Sequence, residues 1–364
     1  MSKAAELANL IGNINAGGGG VNRNVIINGA MNVAQRGTSS TGLGASEVYA
    51  TVDRFAMAGA ATDGRLTATQ DSSAPSGFAN SLKLDCTTAD TSIASTEIFT
   101  IQHKIEGQNV QSFAKGTSDA KPFAVSFYVK GNASATYVCE LFDADNSRQI
   151  SKTFNVTTDW TRVELTFPPD TTGTFDDDNA TSLFFVIWLH AGSNYTSGTR
   201  NSSSWAASTT ANRVGSGTTS FFDSTDRTFF LTGVQLEIGQ NPTEFEHEPF
   251  DVTLAKCDRY YQKSEGNNYT IFLVGGIDSS GGAAYLSRRL RVPMRAIPSF
   301  SFSNSYLYSI PSNTVTYTGS LDNRSDKDIA AIGFQSIDGD TADGHSIRFE
   351  SSGNNGEVEF DAEL

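Results

Sequence analysis

The stretch Phe123-Ala-Val-Ser-Phe-Tyr-Val-Lys130 decides the fold. Phe123, Val125, Phe127 and Val129 alternate with Ala124, Ser126, Tyr128 and Lys130, and a period of two turns one side of an extended strand to a core. Val163, Leu165 and Phe167 repeat the pattern after Trp160, as do Phe99, Ile101, His103 and Ile105. Leu183-Phe-Phe-Val-Ile-Trp-Leu189 is apolar on both faces, which predicts a central strand. In Phe229 to Ile238 the apolar phase moves from odd to even positions around Gly233, so a β-bulge is expected there. Turn signals separate these runs, among them Lys130-Gly-Asn, Asp143-Ala-Asp-Asn and Phe167-Pro-Pro-Asp. Residues 25–250 therefore predict an antiparallel jelly-roll β-sandwich in an all-β chain.

The period changes near Asp251. Leu254, Cys257 and Tyr261 fall at i, i+3 and i+7, which predicts a connecting helix over 251–263. Its apolar stripe needs cover, and three copies meeting on a threefold axis would supply it. Alternating runs resume over Tyr269–Ile277, Ala284–Val292, Ser299–Tyr308, Ile329–Gln335 and Ser346–Glu350, so 264–364 reads as a smaller C-terminal β domain. Residues 1–24 form a separate peptide. Leu7, Leu10 and Ile11 share one helical face before the Gly17–Gly20 run, and so short a helix is marginal unless it docks on something. An attachment role is expected for those three residues.

Composition narrows the partners. The 364 residues are 38% hydrophobic, enough for buried cores. Forty acidic against 26 basic residues give a net charge of −14 and a pI near 4.7, the reverse of a phosphate-backbone binder. No apolar run approaches membrane-spanning length, so no membrane insertion is expected. The first residues carry Lys3 and Glu6 without an apolar core, so no secretory signal is expected. Cys86, Cys139 and Cys257 are far apart and read as small core residues.

No nucleophile elbow, phosphate loop or paired metal-ligand spacing occurs, so no catalytic residue, metal or cofactor is predicted. The four histidines stand singly, and His103, in phase with Ile101 and Ile105, reads as a hydrogen-bonded core histidine. Acidic turns at Asp143-Ala-Asp145 and Asp176-Asp-Asp178 read as solvated turns. The polar segment Gly192–Thr219 carries Tyr195 and Trp205, rings suited to stacking on sugars, although a lone loop Trp also finds apolar cover. Arg288, Arg289, Arg291 and Arg295 read as a solubilising basic face.

Several motifs, taken as an ordered set, resemble a family of marine bacteriophage virion proteins found among tail fibres and related appendages. They are Asn24-Val-Ile-Ile-Asn-Gly-Ala-Met-Asn-Val-Ala-Gln-Arg-Gly37, Val52-Asp-Arg-Phe55, Lys104-Ile-Glu-Gly-Gln-Asn-Val110, Phe230-Leu-Thr-Gly-Val-Gln-Leu-Glu-Ile-Gly239, Thr243-Glu-Phe-Glu-His247, Leu254-Ala-Lys-Cys-Asp-Arg-Tyr-Tyr261 and Val292-Pro-Met-Arg295. The resemblance implies a carbohydrate-binding-module-like jelly roll followed by a helix and a β tip, usually trimeric. It implies a non-enzymatic virion subunit assembled in the host cytoplasm, with other virion proteins as partners through the N-terminus and host surface glycans as a ligand. The alternatives are a polysaccharide-degrading tail appendage and a capsid-decorating adaptor without a host ligand.

Overall fold

Alternating strands make sense of the computed structural model, which describes residues 22–277, 283–310, 313–317, 321–335, 337–338 and 346–364, together with Lys3. Leu7, Leu10, Ile11 and the peptide around them lie outside the described residues. The chain divides into two units, Met1–Thr253 and Leu254–Leu364.

The first unit contains β1 (Ser39–Leu43), β2 (Glu47–Val48), β3 (Ala56–Ala60), β4 (Arg65–Asp71), β5 (Ser81–Thr88), β6 (Ile98–Glu106) and β7 (Phe123–Gly131). It continues with β8 (Ala135–Asp143), β9 (Arg148–Val156), β10 (Thr161–Phe167), β11 (Thr181–Ala191), a single helical turn α1 (Ser193–Thr196), β12 (Ala206–Ala207) and β13 (Thr228–Ile238). One sheet runs β1-β4-β5-β13-β7-β10 and the other β12-β9-β8-β11-β6-β3-β2, with every pair antiparallel. This is a jelly-roll sandwich. Phe123, Val125, Phe127 and Val129 of β7 meet Phe185, Ile187 and Leu189 of β11 in one buried core. β11 is flanked by β6 and β8, the central place its two apolar faces predict. The bulge in β13 falls between Thr232 and Gln235, and Gly233 takes φ +62°, a conformation that disfavours any side chain.

Helix α2 is Phe250–Asp258, shorter than the predicted 251–263, and the unit boundary falls within it. Tyr260 N–H closes the last turn on the Cys257 carbonyl at 2.9 Å, and Tyr261 already pairs with Asp361. Pairing with the C-terminal strand overrides helical spacing here. The proposed stripe is corrected accordingly. Cys257 and Tyr261 are buried within one chain and Leu254 is half-buried, so they do not form an open face for a threefold contact.

The second unit holds β14 (Tyr261–Gly266), β15 (Ile271–Ile277), β16 (Ala283–Arg289), β17 (Ser299–Ser303), β18 (Ser305–Ile310) and β19 (Asn313–Tyr317). Then come β20 (Leu321–Asn323), β21 (Ile329–Gln335), β22 (Ile337–Asp338), β23 (Ser346–Ser351) and β24 (Gly356–Asp361). The small sheet β14-β24-β17 and the larger β20-β21-β16-β15-β23-β18-β19-β22 share a core around Leu286, Phe334, Phe349 and Phe360. The predicted run Ser299–Tyr308 is two strands, broken at Asn304 by its φ of +47°.

Candidate functional site

Motifs far apart in sequence meet at one closure of the sandwich. Val25 N–H reaches the Leu236 carbonyl at 3.0 Å, while Asn24 Oδ1 accepts from Leu236 N–H and its amide donates to the Val234 carbonyl. Glu246 gathers three successive N–H groups, those of Asn22, Arg23 and Asn24, at 2.7 to 3.0 Å. Asn28 Oδ1 accepts from the Asn32 and Val33 amides and its Nδ2 donates to the Val33 and Asp53 carbonyls. Asp53 in turn holds Gln35 through backbone and side chain, both at 2.8 Å. Arg54 is wholly buried at φ +72° and donates to the Lys104 carbonyl at 2.7 Å. Gly29 has a backbone reason: a Cβ there would stand 2.1 Å from the Val234 carbonyl oxygen. These residues shape the sandwich rather than a reaction.

His103 belongs to this closure. It is buried, its Nε2 accepts the Ile27 N–H at 3.1 Å, and its ring meets Phe55 edge-on at 5.2 Å, as the core reading expects. Burial first, and the nearby Arg54 charge second, hold its pKa well below the ordinary range. The unfolded chain therefore takes up this proton first as pH falls. Stability is full above about pH 6.5 and declines below it, by at most about 1.4 kcal/mol per pH unit for one group. Urea titrations at pH 7.5, 6.5 and 5.5 should show that decline in the native chain and a shallower one in His103→Phe. Equal slopes would remove His103 from the effect.

At the acidic turn Asp143-Ala-Asp145, Lys115 is caged. Its ammonium lies 2.5 Å from Asp143 Oδ2, 3.2 Å from Asp170 Oδ2, and 2.9 and 2.7 Å from the Thr172 and Gly173 carbonyls. Phe175 and Trp205 face the same charge at 5.1 and 5.5 Å. Arg148 adds a fork to Asp170 at 2.7 and 3.0 Å. Asp143 is thus a buried structural acid, and the reading of its turn as solvated is corrected. Trp205 is corrected too: it is 7% exposed, donates to the Pro168 carbonyl at 2.9 Å and packs on Phe123. Its ring is not free to stack on a sugar.

Tyr195 sits elsewhere, on the outer face of the second sheet. There Val138, Val186 and Trp188 form a small apolar cluster with Val214, and Tyr195 lies 5.3 Å from Trp188. Buried Glu140 accepts from Trp188 Nε1 at 2.7 Å and from Arg213 at 3.0 and 2.8 Å. The Arg213 guanidinium lies over Phe142 and Trp188 at 4.8 and 4.9 Å. The 192–219 segment is therefore a cover over this face, and the structure does not bring Tyr195 and Trp205 into one site.

In the second unit Arg289 and Arg291 are exposed, as the reading of a solubilising face expects, but three of the four arginines are also engaged within the chain. Arg291 pairs with Asp258 at 2.8 Å, Arg295 donates to the Ala362 and Glu363 carbonyls at 2.9 Å, and Arg288 lies over Phe360 at 5.6 Å. The face of the larger sheet away from its core carries half-exposed rings instead. Arg324 lies 4.4 Å over Tyr285, beside a depression of about 250 Å³ lined also by Ser287 and Ala331. Arg348 lies 4.6 Å over Tyr308, and Tyr306 donates to Glu350 at 2.6 Å. Rings flanked by polar groups over a floor of small residues can hold a sugar by stacking and hydrogen bonds. Strand alternation alone could have shown these tyrosines, but not which face they share.

No protein-family profile matches the chain, and no curated protein does. Among solved structures, a family 4 carbohydrate-binding module matches at a TM-score of 0.33 and 11% identity, over 58% of this chain and 99% of that one. The enzymatically active domain of tailspike protein 4 from bacteriophage CBA120 gives 0.31 and 11%, over 59% of this chain and 21% of that one. A Clostridium thermocellum family 11 carbohydrate-binding module, in complex with a β-1,3-1,4-mixed-linked tetrasaccharide, gives 0.28 and 11%, over 58% and 98%. These are likenesses of outline, and none bears on what this chain does.

Proposed function

We propose that the chain is a non-enzymatic subunit of a bacteriophage appendage, held to the particle by its N-terminal peptide and presenting its second unit to host surface glycans. The observation that carries this reading is the closure around Asn24, Asn28, Asp53, Arg54 and Glu246. Residues from separate motifs of the resemblance serve one hydrogen-bonded assembly there, so the motifs count as one architecture rather than as scattered coincidences. The homotrimer in this reading comes from the resemblance, and the exposed Phe250 and Val252 of the first unit offer apolar surface to it. Tyr285 with Arg324 is the place assigned to a glycan.

The test is made on the phage. Deleting residues 1–20 should leave a folded protein, trimeric by light scattering, that is missing from purified particles. Normal incorporation would move the anchor elsewhere, and a single-chain mass at micromolar concentration would end the trimer. New reducing ends from host polysaccharide incubated with the intact protein would favour the polysaccharide-degrading alternative.

A further inference from the structure

Two buried pairs of carboxylates in the first unit are balanced in different ways. Asp143 and Asp170 have Lys115 and Arg148. Asp90 and Glu97, 7% and 4% exposed, have no lysine or arginine paired with them among the described residues. Their nearest basic neighbour is the imidazole of His190, itself 2% exposed. Two ionised carboxylates beside a neutral ring leave a buried charge that the protein must neutralise by some other means.

Asp90 follows β5, Glu97 precedes β6 and His190 is the next-to-last residue of β11, and one donor atom from each lies within 4.8 Å of the others. Each is held by further contacts. Asp90 Oδ2 accepts from Thr62 Oγ1 at 2.8 Å and Asp63 N–H at 2.9 Å, and Glu97 Oε1 accepts from Ala94 N–H at 2.7 Å. Glu97 Oε2 is 3.0 Å from His190 Nε2. On the other side of the ring, Ser220 Oγ stands 2.8 Å from Nδ1, placed to accept its proton once Nε2 offers a lone pair to an ion. The Asp90 N–H to Phe222 carbonyl bond and the Gly192 N–H to Glu97 carbonyl bond, both 2.8 Å, fix the backbones around the cluster.

We propose that Asp90, Glu97 and His190 bind a divalent transition ion of the zinc class. Two carboxylates and one imidazole are a zinc donor set, and a doubly positive ion matches their charge. The ion ties the loop after β5 to the end of β11, a structural role independent of any glycan. Positions 90, 97 and 190 have no motif spacing, which is why the sequence reading predicted no metal.

The full-length, untagged protein is dialysed against chelator, then titrated with zinc chloride by calorimetry and followed by thermal melting. One equivalent per chain is expected. Zinc at a hundredfold over its Kd should raise the first unit's melting by roughly 5–10 °C. Glu97→Gln and His190→Gln should each abolish the shift. Should both variants fail to fold, cobalt in the native chain reads the same site, since imidazole coordination gives visible absorption bands that zinc removes. A native chain indifferent to zinc would overturn the proposal in favour of a proton shared by the two carboxylates. A shift surviving in both variants would overturn it by placing the ion elsewhere.

Discussion

Lys115→Met lowers the unfolding free energy of the first unit by about 3–5 kcal/mol, the usual cost of removing one partner from a buried ion pair. Methionine keeps most of the aliphatic stem against Phe175 and Trp205, so the loss isolates the charge. Asp143 and Asp170 are then left with Arg148 alone. Burial, the largest influence on Asp170, pushes its pKa up, but Arg148 and the Lys115 charge together hold it below the ordinary range. In the native chain this contribution is full above about pH 4 and is lost as pH falls through the lowered value. In the variant Asp170 loses the Lys115 charge that lowers its pKa, so less of this contribution is left for acid to remove and the penalty shrinks as pH approaches 4. Denaturant midpoints at pH 7 and pH 4.5 measure both. A penalty under about 1 kcal/mol at pH 7 would mean that Arg148 suffices.

Val186→Asp should abolish soluble folding. Val186 is 1% exposed and stands in register with Gln102 on one side and Glu140 on the other. Cross-strand partners share a face, so the new carboxylate would point at a carboxylate that is already buried. An unpaired buried charge costs on the order of 5 kcal/mol or more, comparable with the whole stability of a typical domain. Val186→Ala, which leaves only a small cavity, should cost about 2 kcal/mol and remain soluble. Recovery of Val186→Asp in the soluble fraction with unchanged melting would show that β11 is not central.

What the sequence made legible was whatever period two controls. β6, β7, β10 and β11 could be read directly because alternation and burial are the same fact seen twice, and the glycine at the phase change located the bulge. The helix was overread because Cys257 and Tyr261 satisfy helical spacing while owing their burial to different elements. β14, Tyr-Gln-Lys-Ser-Glu-Gly, is too polar to announce itself, and its pairing with β24 is set some ninety residues later. Loops carry no period at all. Nothing in Ser-Ser-Ser-Trp205 says that the indole turns inward to Lys115, and nothing in isolated His190 says that Glu97 waits beside it. Polar networks join residues through topology, so they become visible only once the strands are placed.

The Glu246 clamp has a mechanical consequence. It fastens residues 22–24, where the chain comes in, to the segment through which it leaves the first unit at Thr253. A pull applied between those two points loads the three amide-to-carboxylate bonds of Glu246, the Arg23 contacts with Thr243, Glu244 and Glu237, and the bonds of Asn24 and Val25 to Val234 and Leu236. Apart from β13, whose Val234 and Leu236 take part in this fastening, the strands of both sheets lie outside it. Tension along the chain would shear this short fastening before any sheet was unzipped, so the sandwich could stay folded under a load that had already parted its ends.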